Sequence, residues 1–163
     1  MVNKFSGFAT LKQPEDLYLK LVHDRKRMTQ EPCDPYSAFD FFVTAEHLLD
    51  WVIPGMGKDQ RKKRGALRDS NAILRVVSHV ANGSKHFVAE SQHHQSVDDV
   101  VNCGYADDYA TDYYEELLVV QLSNTEQKDL GVSFISTLDL ANRAIEFWKG
   151  YLGLAHSGVG PAP

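Results

Sequence analysis

The sequence predicts a mainly α-helical fold: a four-helix up-down bundle with a small antiparallel β-hairpin or sheet inserted before the last helix. Four segments repeat apolar residues at the spacing of one helix face, and their ends carry Pro, Gly or capping residues. Between the third and fourth segments, short runs rich in Val and Leu replace that spacing. The length of 163 residues fits one domain, expected over residues 1–156, followed by a flexible tail at residues 157–163.

The first two helices are predicted from the residues at their ends. The first begins at Pro14, because proline suits the first helical position and the acids that follow suit the positive end of the helix dipole. It is expected to stop before Thr29. The second helix is capped by Asp34, begins at Pro35 and ends at the Pro-Gly pair of residues 54–55. Apolar residues cover much of its circumference, so it is predicted to be the most buried element.

The third and last helices enclose the region of β-like sequence. The third is expected over roughly residues 64–82, with Asn82-Gly83 as its stop, because both residues tolerate the left-handed backbone of a helix end. The last helix starts at the sequence STLD (residues 136–139), which is typical of a capped helix, and ends near Leu152.

Three short runs between these helices are candidate strands. The sequence KHFVAE (residues 85–90) is partly β-like, and EELLVVQL (residues 115–122) is the better candidate. A third strand, GVSFI (residues 131–135), is expected to follow across a turn at residues 123–129. The acidic, tyrosine-bearing sequence that precedes EELLVVQL is predicted to be a loop.

The charge distribution limits the classes of partner. A net charge of −5 disfavours general, sequence-blind binding of nucleic acid, and no apolar run is long enough to cross a bilayer. Bases and acids are nevertheless segregated. Residues 58–68 carry six bases and one acid, whereas residues 97–116 carry seven acids and no base. The basic segment is either an ordinary solvated surface that can attract the acidic one, or a phosphate-binding patch.

A polar stripe on the predicted third helix is the main candidate for chemistry. At 100° per residue, four polar residues lie within about 40° of Arg75: Arg68, Asn71, His79 and Asn82. His86 joins them if the helix continues past Gly83. The stripe is either the solvated face of a surface helix or a site that holds phosphate and moves protons, since imidazole titrates near neutral pH.

Three sequence motifs carry a resemblance to a known family. They are HLLDWV at the end of the second helix, ANGSKHF after the third, and LDLANRAIEFWKGYL in the last. On these motifs the chain resembles a group of small bacterial helical proteins that are in turn similar to the HEPN superfamily (higher eukaryotes and prokaryotes nucleotide-binding). The resemblance covers residues 34–152. It implies a helical bundle, often dimeric, and for many members a ribonuclease of a toxin–antitoxin or phage-defence system.

The family's catalytic signature is an Arg followed by a His after four to six intervening residues. This sequence departs from it, because three residues separate Arg75 from His79 and ten separate Arg75 from His86. The resemblance implies two sets of site residues here. The catalytic set is Arg75, Asn82 and His86, and the nucleotide- or RNA-binding set is Arg68, Arg75, His79 and Lys85.

A metal site is a weaker alternative. Asp40, Thr44 and His47 share one side of the second helix, from which they would face His79 or His86 on the third. No HExxH or HxH pattern accompanies them, so neither a metal nor another cofactor is expected.

The sequence therefore predicts a cytoplasmic protein with no membrane partner, and the resemblance implies a HEPN-like protein that forms a homodimer. Its expected function is that of a nucleotide- or RNA-binding regulatory module in a bacterial defence or toxin–antitoxin type system, with a cognate antitoxin as a further partner. Two alternatives stay open. One is a metal-independent ribonuclease that uses His86, and the other is a non-enzymatic interaction module whose acidic segment, with its four tyrosines, docks onto a partner.

Overall fold

A computed structural model describes residues 6–86, 96–103 and 117–154; for residues 84–86 and 101–103 it describes the backbone alone. The described residues form six helices and three strands. In chain order these are α1 (Pro14–Gln30), α2 (Pro35–Val52), α3 (Lys58–Asp69), α4 (Ala72–His86), β1 (Val97–Cys103), β2 (Leu117–Leu122), α5 (Asn124–Leu130), β3 (Phe134–Ser136) and α6 (Thr137–Tyr151).

Four long helices form the interior of the molecule. α1 packs against α2, α2 against α4, α4 against α6, and α6 returns to α1. The side chains they share are large and apolar, and removing them from water is the main favourable contribution to folding. The most completely buried include Leu21, Phe41, Leu48, Val76 and Trp148. The mainly helical class is confirmed, while α3 and α5 are additional to the four helices expected.

The helix ends confirm the predictions that rest on local capping chemistry. Asp34 caps α2, because its carboxylate accepts the backbone N–H groups of Tyr36 and Ser37 at 3.1 and 3.0 Å. Ser136 caps α6 in the same way, accepting the N–H of Asp139 at 3.0 Å. These bonds satisfy donors that have no partner inside the helix.

The predicted third helix is two helices, and the expectation of one continuous element was wrong. Residues 70 and 71 separate α3 from α4. The reason is the Asn71 side chain, whose Oδ1 accepts the N–H groups of Ile73 and Leu74 at 2.9 and 3.4 Å and so starts a new helix. The predicted stop was also wrong. Gly83 does not take the left-handed conformation, and α4 continues to His86.

The sheet has the order β1-β2-β3 and is antiparallel throughout. The strand candidates that became β2 and β3 are confirmed, with alternate residues of β2 (Leu118, Val120 and Leu122) buried. The sheet packs against α6 through β2 and β3, and against α4 through β1. It therefore covers one side of the helical interior.

Three predictions for this region were wrong. Residues 97–103, expected in a loop, form β1, because Val100 pairs with Val120 of β2 across the sheet. The turn at residues 123–129 is the helix α5, which ends at Gly131 with φ 72°. Lys85 and His86, expected at the start of a strand, belong to α4; residues 87–90 lie outside the described residues.

In the described ranges, no helix is both long and apolar enough to cross a membrane. Two expectations fall outside those ranges. They concern the tyrosine-bearing acidic sequence at residues 104–116 and the tail at residues 157–163.

Replacing Asn71 tests the helix break. Asn71→Ala is expected to lower the free energy of unfolding by about 1 kcal/mol, because the first N–H groups of α4 lose their acceptor. Urea denaturation measures the change. Asn71→Ser, which keeps a capping oxygen, is the control and should retain most of the stability. An Asn71→Ala protein as stable as the native one would contradict the role given to this cap.

Candidate functional site

The polar stripe predicted on one helix is divided between two. Arg68 lies near the end of α3, Asn71 caps α4, and Arg75, His79 and Asn82 lie along α4. The four side chains apart from Asn71 do not converge on one site. Arg75 binds α5, His79 binds the start of β1, and Arg68 and Asn82 belong to a network around Glu46 and Ser78.

Arg75 is held by an ion pair with α5. Its Nε and Nη2 donate to the two oxygens of Glu126 at 2.7 and 2.9 Å, and Nη2 also donates to Asp129. Nη1 donates to the carbonyl of Asp69 at 2.8 Å. Hydrogen bonding to Glu126 is the main reason that the pKa of Arg75 is raised. Glu126 is only 2% exposed, so this paired, bidentate geometry compensates for burying its charge.

The same carboxylate joins the sheet to the helices. Ser96, the residue before β1, donates its hydroxyl to Oε1 of Glu126 at 2.9 Å, and its carbonyl accepts the N–H of Ser123 at 3.2 Å. Glu126 thus receives hydrogen bonds from both α4 and the start of β1. In this arrangement the Arg75 guanidinium serves the fold and directs its donors toward protein acceptors.

His79 also binds the start of β1. Its Nδ1 accepts two backbone N–H groups, those of Ser96 at 3.0 Å and Val97 at 2.8 Å. Burial lowers the pKa of His79, against the opposing influence of the Asp98 carboxylate. An Nδ1 that accepts hydrogen bonds leaves the proton of the neutral ring on Nε2. His79 is therefore a neutral anchor of fixed tautomer at neutral pH.

Arg68 and Asn82 belong to a third network, between α2, α3 and α4. Glu46 of α2 accepts from Arg68 Nη2 at 2.9 Å and from the Ser78 hydroxyl at 3.1 Å, while Asn82 donates to the Ser78 carbonyl at 2.7 Å. Burial is the largest influence on Glu46 and raises its pKa, although Arg68 and Ser78 oppose the shift. This network fixes α3 against the bundle.

The structure describes the side chains of only two of the three predicted catalytic residues. Arg75 and Asn82 contact separate partners, and the side chains of His86 and Lys85 lie outside the described residues. The backbone of α4 does reach His86, so that residue lies on the same helix as Arg75 and His79.

The metal alternative is not supported by the contacts of α2. Asp40 binds Arg27 of α1 at 2.7 Å, and the Thr44 hydroxyl donates to Asp24 of α1 at 3.0 Å, so both residues face α1 rather than α4. In the part of the chain that the structure describes, no group of three or more His, Cys, Asp or Glu side chains is placed to hold a metal ion.

The basic segment forms α3, and its six bases divide into a structural group and an exposed group. Arg64 is buried, and its guanidinium donates to the carbonyls of Ile53 and Gly55 at 2.6 and 2.9 Å, which closes the end of α2. With Arg68 bound to Glu46, two of the six bases are structural. The remaining four are exposed: Lys58, Arg61, Lys62 and Lys63.

The structure also contains a cavity that the sequence did not predict. It has a volume of about 520 Å³ and lies between α2, α4, β1 and β2, with Thr137 at the start of α6 in its wall. His79 and Phe39 both line it. Phe39 is 44% exposed, although the second helix was predicted to be the most buried element. A cavity of this size is typical of a small-molecule site.

No family model matches the chain, and no curated protein or solved structure is significantly similar to it.

Removing Arg75 tests its structural role. Arg75→Ala is expected to lower the free energy of unfolding by about 3 kcal/mol, because it leaves the buried Glu126 carboxylate without its cation. Arg143→Ala is the matched control. It breaks an exposed pair with Asp139 and should cost less than about 1 kcal/mol. Equal losses in urea denaturation would contradict the buried-pair account.

The pKa of His79 predicts a pH dependence of stability. The unfolded histidine, with its ordinary pKa of 6.5, takes up a proton before the folded one does, so the free energy of unfolding should fall as the pH drops below 6.5. His79→Gln should flatten this part of the profile, whereas His23→Gln, at an exposed position of α1, should not. Denaturation midpoints across that range measure the effect. A native profile that rises as the pH falls would contradict it.

Proposed function

We propose that the protein is a HEPN-like, non-enzymatic module of a bacterial defence or toxin–antitoxin type system, which binds RNA through the exposed basic face of α3. The observation that carries the proposal is the division of the bases on that helix. Arg64 and Arg68 anchor it to α2, and four other bases are exposed. We further propose that the protein acts in the cytoplasm as a homodimer and that an antitoxin protein is its cognate partner.

The geometry of α3 suits a phosphate backbone. At 100° per residue, Lys58, Arg61 and Lys62 lie within about 100° of one another, and Lys63 extends the basic surface to one side. None of these four forms an ion pair among the described residues. Arg64 and Arg68 lie on the neighbouring side of α3 and hold it against the bundle, so the helix presents its exposed charges from a fixed position. Fixed cations bind polyanions at a lower entropic cost.

Two features favour binding over cleavage. Metal-independent cleavage of RNA needs a proton donor, a base and a cation beside the reacting phosphate. Arg75 is bound to Glu126, and His79 holds the backbone of β1 with the nitrogen that would otherwise take up a proton. The ribonuclease alternative depends on His86, at the end of α4.

Charge reversal on α3 tests the proposal. Arg61→Glu/Lys62→Glu is expected to weaken binding of a single-stranded RNA oligonucleotide about tenfold and to reduce the salt slope of log K by about 1.4, as two lost phosphate contacts require. Fluorescence anisotropy at several salt concentrations measures both quantities. Lys26→Glu/Lys128→Glu, at exposed positions on α1 and α5, changes the net charge equally and is the control.

The outcomes separate the functions. Equal weakening by both double variants would show that only net charge matters and would contradict a site on α3. Cleavage of the oligonucleotide by the native protein, lost in His86→Ala, would replace the binding proposal with the ribonuclease alternative.

A further inference from the structure

The cavity between α2, α4 and the sheet has an apolar interior built from distant parts of the chain. Phe39 and Phe42 of α2 form one wall, Val80 of α4 the next, and Leu118 of β2 contributes from the sheet. Phe42 is 1% exposed, so this wall is part of the core and is held in place by it. Such a wall favours the apolar body of a ligand, since contact with it removes apolar surface from water.

One polar group in the wall lacks a partner. Thr137 is 2% exposed and lines the cavity, yet its hydroxyl takes part in no hydrogen bond among the described residues. The hydroxyl oxygen itself is not fully enclosed, so it is accessible from the cavity and a ligand can hydrogen-bond to it. This is the feature that distinguishes the cavity from an ordinary surface depression.

The charges around the cavity have one sign. Asp98 and Asp99 of β1 line it and are exposed at its edge. Among its described lining residues there is no Lys or Arg, and Asp98 is close enough to act on the charge of His79. A carboxylate or phosphate would therefore meet repulsion there, whereas an ammonium group would be attracted. The aromatic faces of Phe39 and Phe42 also favour a cation.

We propose that this cavity binds a small organic cation with an apolar ring or chain. Its apolar body packs against Phe39, Phe42 and Val80, and its ammonium group pairs with Asp98 and Asp99. The Thr137 hydroxyl hydrogen-bonds to the ligand inside. Because its charge preference is opposite to that of α3, the cavity is a second site, and its test does not depend on RNA binding.

Three probes that share one phenyl ring and differ in charge test the proposal: phenethylamine, phenethyl alcohol and hydrocinnamate. Each is titrated into the full-length protein while the backbone amide signals of Gly83, Val97 and Thr137 are followed by NMR. Phenethylamine is expected to shift all three signals and to bind at least about tenfold more tightly than hydrocinnamate, as two nearby carboxylates require. The absence of shifts with phenethylamine, or equal affinity for hydrocinnamate, would overturn the proposal.

Matched variants locate the interaction. Asp98→Asn/Asp99→Asn should weaken phenethylamine binding roughly tenfold and leave phenethyl alcohol binding unchanged. Asp59→Asn/Glu146→Gln removes the same charge from exposed positions on α3 and α6 and should have no effect. Thr137→Val, which keeps the side-chain shape, should weaken binding of tyramine, whose ring carries a hydroxyl, about fivefold and leave phenethylamine binding unchanged. Unchanged phenethylamine affinity in the Asp98/Asp99 variant would overturn the proposal.

The alternative to a ligand in this cavity is a segment of the chain itself. Gly83 and Val97 both line the cavity, and the residues that connect them, 84–96, begin and end at its wall. Nuclear Overhauser contacts between the Phe87 ring and the methyl groups of Val80 or Leu118 in the ligand-free protein would show that the chain fills the space. That result would also overturn the proposal.

Discussion

Glu126 is a carboxylate in the interior of the molecule, and the position of the sheet depends on how its charge is compensated. An isolated carboxylate at 2% exposure would be too costly to keep ionised. Arg75 supplies two hydrogen bonds from α4, and Ser96 supplies a third from the residue before β1. Glu126 and these two partners lie in α5, in α4 and immediately before β1. Satisfying one buried charge therefore fixes α4, α5 and the start of the sheet relative to one another.

His79, one helical turn further along α4, also holds the start of β1 against the helices. Its Nδ1 accepts the N–H groups of Ser96 and Val97, which β1 would otherwise leave without acceptors at its start. Arg75 thus holds Ser96 indirectly, through the Glu126 carboxylate and the Ser96 hydroxyl, whereas His79 binds the backbone of Ser96 and Val97 directly with a neutral ring. Arginine and histidine are common in catalytic sites, but the contacts of Arg75 and His79 explain their presence here by a structural role. The exposed bases of α3 and the cavity beside His79 are the surfaces that remain for partners.

The sequence predicted what depends on neighbouring residues. The starts of α1, α2 and α6 follow from prolines and capping side chains within a few residues of the first helical turn. The predicted end of α1 was wrong by two residues, since the helix expected to stop before Thr29 continues to Gln30. The break before α4 follows from equally local chemistry, the Asn71 cap. It was missed because apolar residues at helical spacing continue on both sides of it, and because Asn71 fits the polar stripe of one long helix.

Long-range contacts could not be predicted from the sequence. The carboxylate that binds Arg75 is 51 residues further along the chain, in a segment expected to be a turn. The sequence of β1, VDDVVNC, lacks a regular alternation of apolar and polar residues, and this segment is a strand because β2 pairs with it. The cavity is likewise formed by elements that the sequence places far apart, so no sequence pattern marked Phe39 as part of its wall.

The most direct test of this account is native-state hydrogen exchange at the amides of Ser96 and Val97, whose acceptor is His79. In the native protein both amides should be protected and should exchange only on large-scale unfolding. In Glu126→Gln they should exchange through local opening of the sheet, while the amides of the α2 interior keep the protection that global stability sets. Unprotected Ser96 and Val97 amides in the native protein, or protection in Glu126→Gln that falls equally in α2 and β1, would contradict the claim that this buried carboxylate holds the sheet to the helices.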